Sequence, residues 1–209
     1  MILCDIGNSR MHCFDGERVE HLSFEEGLRK YARSDVRYIC VNDRAKERLR
    51  SDAPGWRELE AEGLLQTGYE GLGADRAAAC LGLHHGVVVD AGSAITVDVM
   101  EEGRHLGGWI WPGLRSWRAC YRAISPRLDL PLDPEVDLYA LPLSTREAVS
   151  YAVFAPIARL VKEAAGEKPV VVTGGDASTV APLIEGAVID EQIVFRGMEK
   201  IIMTKESHC

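Results

Sequence analysis

Gly86-Val87-Val88-Val89-Asp90-Ala91-Gly92-Ser93-Ala94-Ile95-Thr96-Val97-Asp98-Val99-Met100 is the stretch whose reading decides the fold. The valine run reads as a buried strand, Asp-Ala-Gly turns it, and the β-branched run from Ile95 reads as its antiparallel partner. A turn at Glu101-Glu102-Gly103 then leads into a third strand toward Ile110. The same plan stands at the N-terminus. Met1-Ile2-Leu3-Cys4-Asp5 is an apolar strand ending in Asp-x-Gly, Arg10-Met11-His12-Cys13-Phe14 returns, and Asp15-Gly16 turns into a third strand through Val19. Two three-stranded meanders with the same first turn imply a duplicated α/β architecture, one copy in residues 1–85 and one in 86–209, compactly fused.

Outward from the meanders the pattern stays α/β. Phe24 to Tyr31 and Asp43 to Arg50 read as helices around a strand at Val36–Val41, and Ala74 to Leu83 reads as a third helix. A long helix from Glu147 to Ala165 is entered through Ser144-Thr145-Arg146-Glu147, which fits a capping box, and stops at Gly166 and Pro169. Pro156 predicts a kink in it. Val170-Val171-Val172 runs into Thr173-Gly174-Gly175-Asp176, a strand followed by a glycine turn at a helix start, where backbone N–H groups face anions.

The 209 residues carry 24 Lys plus Arg against 32 Asp plus Glu, a net charge of −8 with no basic block, which speaks against electrostatic binding of nucleic acid or a membrane surface. An anionic ligand therefore needs a local positive site. No apolar stretch is long enough for a transmembrane helix and the N-terminus lacks a leader pattern, so a cytoplasmic protein is expected. The six cysteines, at 4, 13, 40, 80, 120 and 209, include no Cys-x-x-Cys pair and read as reduced thiols.

Walker, Rossmann and zincin motifs are all absent, so a nucleotide site must be built differently. Three strand-end glycine turns offer the parts: Asp5-Ile6-Gly7-Asn8-Ser9, Asp90-Ala91-Gly92-Ser93-Ala94 and Thr173-Gly174-Gly175-Asp176. Hairpin amides and hydroxyls hold phosphates while strand-end carboxylates hold a cation. A single Asp-x-Gly is a common turn, and the functional reading rests on its recurrence. In Gly71-Leu72-Gly73-Ala74-Asp75-Arg76, Asp75 reads either as the cap of a helix beginning near Arg76 or as the acceptor of a substrate hydroxyl proton, with Arg76 pairing a substrate carboxylate. Gly107-Gly108-Trp109-Ile110-Trp111-Pro112-Gly113 is either core packing or a pocket wall. Tyr69 reads as a pocket hydroxyl or a loop anchor, Thr145 as a substrate contact or part of the cap, and His84-His85 as residues of a helix end.

Taken together and in order, these five segments resemble the type III pantothenate kinases, small bacterial members of the actin-like, sugar-kinase-like and Hsp70-like ATPase superfamily. The resemblance covers most of the chain. It implies the duplicated actin-like, ribonuclease H-like fold with two mixed β-sheets flanked by helices, and ATP-dependent phosphorylation of pantothenate, the first step toward coenzyme A. By the same resemblance Asp5, Ile6, Gly7, Asn8, Ser9, Arg10, Met11 and His12 form the first ATP-phosphate loop, with Asp5 near the magnesium ion that accompanies ATP. Asp75 matches the general base, and Tyr69, Gly73, Ala74, Arg76 and Thr145 match substrate-contacting positions. Ser93 matches an ATP contact, and Asp90 matches the ligand of the potassium or ammonium ion that the family requires. A homodimer is implied, with Thr145 near its interface.

Ser9 and Ser93 stand where threonine is usual, and the segment before Gly71 is short for the family. Two other readings fit the residues: a superfamily kinase acting on another small hydroxy acid or sugar, with Arg76 favouring an acid, and a non-catalytic regulatory relative.

Overall fold

The computed structural model describes residues 1–207, so Cys209 lies outside the described residues. In chain order the elements are β1 (Ile2–Ile6), β2 (Met11–Phe14), β3 (Val19–Leu22), α1 (Phe24–Tyr31), β4 (Val36–Cys40), α2 (Asp43–Asp52), β5 (Arg57–Glu58), β6 (Gln66–Thr67) and α3 (Ala74–Gly82). The second half continues with β7 (Gly86–Ala91), β8 (Ala94–Glu101), β9 (Arg104–Pro112), α4 (Leu114–Ile124), α5 (Thr145–Ala165), β10 (Val170–Thr173), α6 (Ala177–Val180), β11 (Val188–Ile189) and α7 (Ile193–Glu206). By contacts the chain forms two units. One is Met1–His84 with Met100–Gly107 and Glu191–Cys209; the other is His85–Val99 with Gly108–Asp190.

The two sheets repeat one plan. The first has the order β3-β2-β1-β4-β5, and within the second the run β9-β8-β7-β10-β11 is the same arrangement, extended by β6 beyond β9. Both meanders are present as read, and β1 pairs in parallel with β4 as β7 does with β10. The fold is a duplicated α/β architecture with two mixed sheets flanked by helices.

In the first unit the pleat alternates along β1. Leu3, Cys4 and Ile6 are buried, and Cys4, Ile6, Met11 and Cys13 join Val36, Tyr38 and Leu49 in one core. Cys4 and Cys13 are direct cross-strand partners with Sγ atoms 2.9 Å apart; the hydrogen bond to Cys13, then burial, keeps the Cys4 thiol protonated far above its ordinary range. α1 opens with a capping box in which Ser23 Oγ accepts from the Glu26 amide and Glu26 returns to the Ser23 amide at 2.9 Å. α3 is rich in alanine and packs on α7 at backbone distance. A Cβ on Gly82 would come within 2.1 Å of the Ile193 carbonyl oxygen, and one on Gly197 within 1.8 Å of that of Ala78. Phe195 on α7 stacks on Phe14 of β2 at 5.4 Å.

The second unit buries Val87, Val89, Ile95 and Val97 of its sheet against Val153, Phe154, Ile157 and Val161 of α5. That helix begins at Thr145, where the sequence reading starts it at Glu147, and continues past Pro156 to Ala165. Its capping box is half formed: Ser144 Oγ accepts from the Glu147 amide at 3.2 Å, but the Glu147 carboxylate accepts from Leu143 at 3.0 Å. Trp109 and Trp111 meet edge to face at 5.5 Å and are half-buried against this core. No helix among the described residues is long and apolar enough to cross a membrane.

Candidate active site

The expected site residues fall on both units, and each group is built by its own unit. In the first, β1 and β2 are joined by a tight turn in which the Gly7 amide donates to the Arg10 carbonyl at 3.0 Å. Asn8, Ser9 and Arg10 are exposed at its tip, while Asp5 is half-buried one residue before the end of β1, opposite His12. The turn lines a cavity of about 340 Å³ together with Asn42, Arg44 and Arg48. Asn42 caps α2 by accepting the Ala45 amide at 3.1 Å, so the amide-rich start of that helix faces the same space. Arg10 and Arg44 bring to its wall the local positive charge that an anion needs on a chain of net charge −8. Arg48 is held by Glu25 and by Asp52 at 3.2 Å. Burial, with the charges of His21 and Arg10, lowers the His12 pKa to about 4, and its Nδ1 lies 2.5 Å from that of His21.

Beyond α2 the chain reaches Asp75 through Gly68, Gly71 and Gly73. Gly71 takes φ +71°, a conformation that disfavours side chains, and Gly73 is the cap of α3. The helix begins at Ala74, so Asp75 lies in its first turn; the alternative in which Asp75 caps a helix starting near Arg76 is not what the backbone adopts. Gly73 is required by the carboxylate itself, because a Cβ there would stand 2.7 Å from Asp75 Oδ1. That oxygen accepts the Arg76 amide at 2.7 Å, which fixes the carboxylate at the helix start. Arg76 is only 6% exposed; its guanidinium lies over the Tyr69 ring at 4.8 Å and donates to the Tyr69 hydroxyl at 3.2 Å. Asp75, Arg76, Tyr69, Gly73 and Ala74 are therefore brought together in this unit.

In the second unit the Asp90 turn is pressed from outside by two glycines, Gly113 and Gly174, that have no room for a side chain. The Gly92 amide donates to the Ala94 carbonyl at 2.9 Å, and the Gly113 amide to that of Ser93 at 3.2 Å. A Cβ on Gly113 would fall 2.4 Å from the Gly92 carbonyl oxygen. Gly174, at φ +90°, ends β10 beside Asp90, and a Cβ on it would lie 2.3 Å from Asp90 Oδ1 and 2.5 Å from the Ala91 carbonyl oxygen. A carboxylate and a carbonyl oxygen thus converge on space that only glycine leaves open, a donor set suited to a hard cation. Asp5, half-buried at the strand end beside the phosphate turn, offers carboxylate oxygens of the kind magnesium takes. Ser93 is exposed at its turn. Burial raises the Asp176 pKa against the opposing charge of Arg115. Thr145 is exposed at the first turn of α5, away from any contact that would explain its identity structurally, since Ser144 supplies the cap.

Two features escape the sequence reading. Arg44 and Asn42 on the cavity wall carry no motif, although Asn before an acidic helix start is a cap signal. Thr67 and His105 touch the Tyr69 side of the site through a two-residue strand too short to show periodicity.

The profile of the type III pantothenate kinases matches residues 45–167. A type III pantothenate kinase of Campylobacter jejuni is 43% identical over 202 residues, covering 97% of this chain and 96% of that one. The chain belongs to the type III pantothenate kinase family. A Campylobacter jejuni crystal structure, described as a conserved Baf family transcriptional activator, is 40% identical and superposes over 99% of this chain and 100% of that one with a TM-score of 0.87. Two distant structures are alike in fold alone: a 2-dehydro-3-deoxygalactonokinase of Sinorhizobium meliloti (TM-score 0.56, 10% identity, 97% of this chain and 96% of that one) and ADP-bound MreB5 of Spiroplasma citri (TM-score 0.52, 11% identity, 99% and 97%). They make the duplicated architecture actin-like.

Proposed function

We propose that this chain is an ATP-dependent pantothenate kinase, transferring the γ-phosphoryl group to the pantothenate hydroxyl in the first step of coenzyme A biosynthesis. The observation that carries the reading is the start of α3. There a glycine cap leaves room for the Asp75 carboxylate, and the neighbouring Arg76 is buried and braced on Tyr69.

In this mechanism pantothenate lies along Gly73 and Ala74 with its carboxylate at Arg76, Tyr69 and Thr145 providing further contacts. Asp75 accepts the proton as the hydroxyl oxygen attacks, a contribution of about 10²- to 10⁴-fold. Because the transition state of phosphoryl transfer is loose, positioning and charge neutralisation do the remainder. The amides and side chains of the turn from Asp5 to His12 bind the polyphosphate, and Ser93 is an ATP contact. Asp5 would hold the magnesium ion and Asp90 the potassium or ammonium ion, and each would supply positive charge against the phosphates. In chain order the two copies of the duplication span residues 1–85 and 86–209, with Met100–Gly107 and the segment from Glu191 packing in the first unit, and the enzyme works in the cytoplasm.

We also assign a homodimer. Tyr139 and Leu143 are each 96% exposed just ahead of Thr145, an apolar surface that a second copy would cover. The regulator reading finds no support in the charge: a chain at −8 lacks the basic surface that phosphate contacts with DNA demand.

The test is a coupled assay of ADP release with ATP and magnesium, with and without pantothenate, in potassium and then in sodium. Release that needs both pantothenate and potassium is the expected result, and absence of pantothenate dependence in either salt refutes the reading. Asp75→Asn lowers turnover by about 10²- to 10⁴-fold while ATP still binds; unchanged turnover removes Asp75 from its role.

A further inference from the structure

The segment that carries Tyr69 has little to fix it. It follows the two-residue β6 and runs through Gly68, Gly71 and Gly73 before α3 begins. Glycine-rich backbone loses more entropy on ordering than any other, so a side chain in it stays placed only where neighbours hold it.

Two residues do this. β6 pairs with β9 at one place, Gln66 opposite Arg104 and Thr67 opposite His105. Thr67 Oγ1 accepts the Tyr69 amide at 3.0 Å and lies 2.8 Å from His105 Nδ1. The Thr67 oxygen has a second lone pair and its own proton besides, so it bonds Nδ1 in either histidine tautomer while still holding the Tyr69 amide. The imidazole also packs against the Tyr69 ring, centroids 5.9 Å apart, and is itself 2% exposed. His105 therefore grips Tyr69 twice, through Thr67 to its backbone and directly on its ring. Tyr69 in turn carries the Arg76 guanidinium on its face and at its hydroxyl.

We propose that His105 and Thr67 are positioning residues that set the acid selectivity of the kinase by holding the Tyr69 platform on which the Arg76 fork is aimed. This rests on the pantothenate kinase reading. A guanidinium recognises a carboxylate by two parallel hydrogen bonds, and that geometry tolerates little rotation of the fork. Loosening the platform weakens recognition of the carboxylate and leaves Asp75, fixed by its own helix start, able to take the proton.

The measurement is steady-state kinetics of wild type, His105→Leu, His105→Asn, Thr67→Val and Thr67→Ser on pantothenate and on its primary carboxamide, which keeps the hydroxyl and lacks the charge. Both His105→Leu and Thr67→Val raise KM for pantothenate about tenfold, with kcat and KM for ATP within about twofold and KM for the carboxamide little changed. The double variant loses less than the product of the two single effects, since the Thr67–His105 link is shared while the ring contact and the Tyr69 amide bond are each lost in only one of them. His105→Asn puts an acceptor where Nδ1 stood and Thr67→Ser keeps the hydroxyl, so both restore most of the selectivity. Equal losses on acid and carboxamide, or a fall in kcat with an unchanged KM, overturn the positioning role. Should the leucine variant not fold, Thr67→Val against Thr67→Ser makes the same comparison. Wild type that phosphorylates no pantothenate overturns the kinase reading and this inference with it. Active wild type with unaffected variants overturns the inference alone.

Discussion

The Asp5 turn and the Asp90 turn come from the same plan and are finished differently. At Gly7 a Cβ would rest 3.5 Å from the Arg10 carbonyl oxygen, an ordinary contact, and the residues after it stand exposed above a cavity. The corresponding Gly92 has equal room, a Cβ there standing 3.7 Å from Asp90 Oδ1, but Gly113 and Gly174 press on that turn from outside with no space for even a methyl group. A duplicated motif has thus kept its carboxylate at both strand ends while one copy stayed open and the other was locked. An open turn adapts to a long, flexible polyphosphate; a locked one keeps a small set of oxygens at fixed spacing, which selectivity between cations requires.

The contrast breaks most sharply at the glycines. Gly174→Ala meets both a left-handed backbone and a carboxylate oxygen 2.3 Å away, and is expected to cost about 2–4 kcal/mol in urea unfolding and most of the turnover. Gly7→Ala changes stability by less than about 1 kcal/mol. Comparable losses from the two would mean that the turns are equally packed. A smaller effect separates the acids. Asp5→Asn should raise the magnesium concentration for half-maximal rate about tenfold and leave the potassium response intact, whereas Asp90→Asn abolishes the difference between potassium and sodium buffers. An Asp90 variant that still distinguishes the two ions removes the cation from that turn.

A pH dependence is confined to the open turn's hairpin. His12 titrates near 4 in the folded protein against 6.5 in the unfolded chain. Between these values the unfolded state binds more protons, so the stability present above pH 6.5 is lost as pH falls toward 4. After allowance for solvent screening the change is about 1–3 kcal/mol. Denaturation curves at pH 7 and pH 5 should therefore converge in His12→Gln relative to wild type; parallel slopes would show that His12 titrates normally.

Sequence reading found what local chemistry marks. α1 runs over Phe24–Tyr31 as expected, and the valine runs and Asp-x-Gly turns located both meanders within a residue or two. α4 and α7 went unread for a shared reason: neither has a side-chain cap nor an acidic residue in its first turn, so nothing local marks where they start. β6 is two residues long and exists only because β9 pairs with it. For the site, Asp75 and Arg76 were legible because a glycine-rich helix entry followed by acid and guanidinium is an uncommon string. Thr67 and His105 were not, since their relation is made by strand pairing across 38 positions of sequence.

The backbone-to-backbone packing of α3 on α7 ties the beginning of the chain to a segment translated more than a hundred residues later. On a ribosome the first sheet emerges early with the α3 surface around Ala78 and the ring of Phe14 still bare, and it stays so until Ile193–Glu206 has left the exit tunnel. The Asp5 turn and the start of α3 therefore gain their final support only once α7 has emerged, which makes the nascent first unit a natural client for chaperones.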